Sequence, residues 1–110
     1  MNINDDILKL CVSLSDNPKE CFCQLRNYYN WTIDEFLEKS KLSHKVYDSM
    51  ICGKRISRNF CYKMCLGFDL PLTVMKKVFD IFGYHLNENN GKDLEILLKY
   101  EKNLAEKHTF

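Results

Sequence analysis

The sequence predicts an all-α fold, a single compact domain of about seven short helices. Three observations predict it. Four Gly and two Pro in 110 residues, set against many Leu, Lys and Glu, leave few breakers and favour helix over strand. Apolar residues recur at helical spacing through most of the chain, and no repeat, linker or low-complexity stretch divides it. A hydrophobic content of 45%, with 13% aromatic residues, supplies one real core, so the fold needs no staple.

The helices follow from punctuation and periodicity. The first covers about residues 4 to 14, with Ile7, Leu8, Cys11 and Leu14 as its apolar stripe. Asn17-Pro18 reads as an N-cap followed by proline in the first helical position. That second helix carries Cys21, Phe22, Leu25 and Tyr29 and ends near Asn30. Thr32 and Glu35 form a capping box that opens a short helix with Phe36 and Leu37 inside, ending at Lys39 or Ser40. Ser43 caps the next, which runs to about Ile51 and stops at Gly53. Ser57 caps a fifth helix through about Leu66. Leu70-Pro71 restarts the chain into a sixth, with Leu72, Met75, Val78 and Phe82 as its stripe, closed by Gly83. After the polar turn 87–91, a last helix spans about 92–106, with Leu94, Leu97, Leu98 and Leu104 on one side.

No apolar run approaches the roughly 18 to 20 residues of a membrane span. The start, MNINDDILKL, is acidic and lacks a signal peptide's basic-then-apolar layout, so a cytoplasmic protein is expected. Its six cysteines are then free thiols. Cys61 and Cys65 share a helix face, and His44 or His85 would be the partners for a zinc site. These spacings match no zinc template, so the thiols read as small apolar fillers, and no metal or cofactor is expected. For the same reason of compartment, the Asn30-Trp31-Thr32 sequon carries no function. A phosphate-binding glycine loop, an H-E-x-x-H pair and a nucleophile elbow are all missing, so the chain is not read as an enzyme. His108 reads as part of a frayed tail.

The stretch 31–55, WTIDEFLEKSKLSHKVYDSMICGKR, carries a resemblance. Without a gap it is similar to the helix-turn-helix of the phage repressor and Cro-like family, the xenobiotic-response-element type. Thr32, Glu35, Glu38, Lys39, Ser43, Gly53, Lys54 and Arg55 match the family pattern directly. Phe36, Leu42, Tyr47 and Met50 are apolar where the family is apolar, and these positions lock the two helices together. Residues 56–86 more weakly resemble the helical extension of a phage and low-GC Gram-positive subgroup, through Leu70-Pro71 and Gly83-Tyr84.

The resemblance implies that the helix after Ser43 enters the major groove of double-stranded DNA. By position, His44, Lys45 and Ser49 would face bases, and Val46 would touch a thymine methyl. Lys41, Lys54, Arg55 and Arg58 would neutralise phosphates. Three positions depart from the family. Ile33 replaces a backbone-contacting glutamine, Leu37 replaces a small residue, and Lys41 replaces the turn glycine.

Charge is uneven. The chain is only +1 overall, but residues 39–68 hold seven basic residues and one acidic one. That segment is +6 and the remainder −5, which places positive charge where a DNA-docking unit needs it. The expected function is a sequence-specific DNA-binding transcriptional regulator, a phage or mobile-element repressor. It would act as a homodimer, because one such helix reads only a few base pairs. The first or last helix would supply the dimer contact. An alternative of a different class is a phage-encoded, anti-CRISPR-like inhibitor that uses the same scaffold to bind a host defence protein. Ile33, Ile51 and the near-neutral net charge favour that alternative.

Overall fold

The computed structural model describes residues 3–107, with side chains described from residue 6 onward. His108 therefore lies outside the described residues. Within them the chain forms seven helices and no strand: α1 Ile3–Ser13, α2 Pro18–Tyr29, α3 Ile33–Ser40, α4 His44–Ile51, α5 Arg58–Gly67, α6 Leu72–Ile81 and α7 Gly91–Lys107. Each boundary falls within a residue or so of its expected place, the ordinary scatter of helix ends.

Local chemistry explains this agreement. The Asn17 side chain accepts the Glu20 N–H at 3.1 Å, and Pro18 starts α2. Thr32 Oγ1 accepts the Glu35 N–H at 3.2 Å while Glu35 Oε1 accepts the Thr32 N–H at 3.4 Å, completing the capping box. Ser43 and Ser57 accept the N–H groups of Val46 and Phe60 in the same way. Asn90 caps α7 by accepting from Lys92 and Asp93. Each cap satisfies an N–H that a bare helix end would leave unpaired.

Helix α5 is the centre of the fold, packing against α3, α6 and α7. Its Cys61, Met64 and Cys65 are fully buried. Phe68, just past its end, is the hub of an aromatic cluster. It stacks on Tyr29 and Trp31 with ring centroids at 5.3 and 5.1 Å, and lies 5.4 Å from Phe36. Such ring pairs add to burial through their quadrupoles. The backbones of α3 and α5 approach closely, where a Cβ added at Gly67 would stand 2.7 Å from Ser40 Cα.

Two stripes differ from the periodicity reading. On α7 the core-facing residues are Leu97 and Tyr100, whereas Leu94 and Leu98 are exposed. Tyr100 takes the inward position because its phenol finds partners there, the carbonyls of Leu70 at 2.7 Å and Cys65 at 3.1 Å. Those bonds tie α7 across the end of α5. Along α1 and the residue that follows it, Ile7 and Leu14 are buried but Leu8 is 41% exposed, with α1 packing against α6. The cysteines divide as well. Cys21, Cys61 and Cys65 fill core space, Cys11 and Cys23 are half-buried, and Cys52 is exposed. No helix among the described residues is long and apolar enough to cross a membrane.

Candidate nucleic-acid interface

Helices α3 and α4 are eight residues each and are joined by the short turn 41–43. Phe36, Leu42, Tyr47 and Met50 are all buried, with the Phe36 and Tyr47 rings 6.3 Å apart. These contacts fix α4 against the rest of the domain, and α4 packs on α2 behind it. The turn contains Lys41 in the left-handed region, at φ 62° and ψ 22°, with its N–H donating to the Leu37 carbonyl at 3.0 Å. The chain thus makes the glycine-type turn without the glycine. Leu37, at the position where the resemblance calls for a small residue, is half-buried and packs against the core.

Along α4 the expected base-facing positions separate. His44 and Lys45 are exposed at its N-terminal end, and Ser49 is half-exposed one turn on. The Ser49 hydroxyl donates to the Lys45 carbonyl at 3.1 Å, leaving its oxygen lone pairs to accept. Val46 does not fit its expected role. It is 9% exposed and belongs to the core, because its place beside Tyr47 and Met50 turns it inward. Only a small edge of it reaches the surface, at a recess shared with Ser49 and Arg55, so little of it is left for a thymine methyl.

The expected phosphate contacts also divide. Lys54 and Arg55 are exposed in the segment after α4. The Arg55 guanidinium lies over the Tyr84 ring at 4.6 Å, and Tyr84 is itself anchored through its hydroxyl to the Ile56 carbonyl at 2.7 Å. A cation–π contact of this kind orients the guanidinium plane while leaving its N–H edge available. Arg58, in contrast, sits 3.7 Å from the Asp93 carboxylate, which competes with a phosphate for it.

Ile33 and Ile51 are half-buried and packed against the core, each leaving part of its side chain at the surface. His44 and His85 are exposed whereas Cys61 and Cys65 are buried, and no group of three or more His, Cys, Asp or Glu converges among the described residues.

The basic segment is not one surface. Lys45, Lys54 and Arg55 belong to α4 and the segment that follows it. Lys39, Lys41 and Lys63 line a separate groove between α3, α5 and α7, joined there by Lys99 and Lys107. Sequence reasoning missed those last two, although Lys99, Asn103 and Lys107 stand four residues apart on one face of α7. Comparison with protein-family models, with curated proteins and with solved structures gives no match.

Proposed function

We propose that this chain is a sequence-specific DNA-binding regulator of the repressor and Cro-like kind, with α4 as its reading helix. One observation carries the reading. The helix is capped, locked from behind by Tyr47 and Met50, and presents His44, Lys45 and Ser49 outward, with Lys54 and Arg55 exposed beyond its other end. Such a helix enters a major groove with its N-terminal residues at base edges, while flanking cations sit on phosphates. His44 and Lys45 are the base-reading pair, assisted by Ser49. Lys54 and Arg55 are the positioning pair. A single eight-residue helix reads too few base pairs for a regulator, so two copies act on a two-fold site in the cytoplasm, where such DNA lies. The exposed Leu94 and Leu98 of α7 offer the apolar contact between copies.

Binding curves against a selected site and a scrambled one, at two salt concentrations, test this. Lys54→Ala and Arg55→Ala should weaken binding about equally on both sequences and reduce the salt slope by about one unit each. His44→Ala and Lys45→Ala should instead shift preference at one base pair by about 1–3 kcal/mol. If the protein binds no duplex even at low salt, the reading fails.

A further inference from the structure

The groove between the end of α3, one face of α5 and α7 has a volume of about 420 Å³. Its walls carry Lys39, Lys41, Lys63, Lys99 and Lys107, and no carboxylate lines it among the described residues. Among the described residues, Lys107 is the one of the five with an acidic partner: its ammonium is 2.6 Å from Asp69 and donates to the Leu66 carbonyl at 2.7 Å. Three of the five lysines, Lys39, Lys41 and Lys107, also line an adjoining recess together with the carboxylates of Glu38 and Asp69, which leaves Lys63 and Lys99 as the groove lysines outside that recess. Lys39 and Lys99 rest near aromatic faces, 6.0 Å from Trp31 and 5.8 Å from Tyr62. No salt bridge joins Lys39, Lys41, Lys63 or Lys99 to a carboxylate among the described residues.

The wall also carries hydroxyls. Tyr62 Oη accepts a bond from the Asn103 amide at 2.7 Å, and Ser40 Oγ accepts the Leu42 N–H at 3.3 Å. Tyr62 is half-buried and its hydroxyl, used as an acceptor by Asn103, keeps its proton to donate into the groove, whereas Ser40 is only 3% exposed and its hydroxyl is held inside. The wall offers ammonium donors and the Tyr62 hydroxyl, which suits a ligand rich in acceptors and poor in protons. The five lysines line this one groove, and a di- or triphosphate chain only a few ångströms long would meet more than one of them at once. The volume falls in the range of small-ligand sites. Several charges within so short a span are the property of a di- or triphosphate, whereas peptide carboxylates are spread along a chain.

We propose that this groove binds the phosphate chain of a nucleotide-sized ligand. No residue of α4 lines it, so the site stands apart from the DNA-reading helix and does not depend on that reading.

Magnesium-free sodium triphosphate and ATP, titrated calorimetrically into the full chain at two salt concentrations, provide the test, with amide NMR shifts to locate binding. Both should bind saturably, more weakly at high salt, with the largest shifts at Asn59, Lys63, Lys99 and Asn103. Lys99→Glu should weaken triphosphate by about tenfold, and Lys102→Glu, an equal charge change at an exposed position of α7 outside the groove, by less than about twofold. Tyr62→Phe, which removes one donor and keeps the ring, should weaken it severalfold. Equal losses from Lys99→Glu and Lys102→Glu would mean bulk attraction and overturn the proposal. So would citrate binding as tightly as triphosphate, or a duplex displacing triphosphate and giving the larger groove shifts. Those results would identify a generic anion or a polynucleotide backbone in place of the small ligand.

Discussion

Lys41 shows how a single residue can hold a strained turn for the sake of the elements it joins. An L-residue in the left-handed region brings Cβ against the following carbonyl, at a cost of roughly 1–2 kcal/mol. Asn30 and Asp69 also have positive φ, at 55° and 54°, but their short polar side chains suit that region. Lysine has no such compensation. Lys41→Gly removes the clash, while the freer unfolded chain returns part of the gain, about 0.4–1 kcal/mol. The variant should therefore be more stable than the parent by up to about 1 kcal/mol, seen as a higher melting temperature. A lower one would mean that the lysine side chain makes a stabilising contact which outweighs the strain. The turn itself was legible, because the residue aligned with a glycine. Val46 was not legible in the same way, since its position in the pattern says where it falls along α4 but not which way neighbouring helices press it.

At the scale of elements, caps and breakers made the helices readable, and packing between helices did not follow from them. Asn17, Thr32, Ser43 and Ser57 act within three residues of themselves, so their effect is visible in the letters. The α3–α5 contact has no such local sign. Ser40 and Gly67 lie far apart in sequence, yet their backbones come so close that only a hydrogen fits at residue 67. The inward turn of Tyr100 in place of Leu94 and Leu98 is of the same kind, being fixed by two distant carbonyls. The groove lined by Lys39, Lys63 and Lys99 was hidden for the same reason, as it exists only once α3, α5 and α7 are assembled. Gly67→Ala is the matching experiment. A methyl there meets Ser40 Cα at 2.7 Å and Cβ at 2.9 Å, backbone-fixed atoms that cannot swing aside. Although alanine is the better helix former, by about 1 kcal/mol, overpacking of this kind costs about 1–3 kcal/mol, so the net effect should be destabilising. A thermal melt equal to or above the parent's would show that α3 and α5 can separate without loss.

For the whole molecule, the buried thiols and phenols set how stability depends on pH. Burial pushes the Cys21 thiol up to about 12 from its ordinary 9.0, with Cys61 and Cys11 adding to the effect and Lys77 opposing it. Cys65 is raised as well, first by burial and then by its hydrogen bond with Cys61. Tyr29 and Tyr100 are raised chiefly by burial, with nearby acidic groups contributing. In each case the folded chain holds its proton more tightly than the unfolded chain does. The stabilisation is therefore complete below the unfolded value and is lost as pH rises toward the folded one. For the two thiols that loss begins near pH 9, and for Cys21 it continues to about 12. Once the unfolded chain ionises such a group, each lowers stability by up to about 1.4 kcal/mol per pH unit. Urea midpoints should thus change little between about pH 7 and 8 and fall steeply between about pH 9 and 10.5. Cys21→Ala should start from a lower midpoint, because it leaves a small void, but should lose stability less steeply over the alkaline range. Equal slopes for parent and variant would show that Cys21 keeps no special hold on its proton, and a flat parent curve to pH 10.5 would remove the buried thiols as the cause altogether.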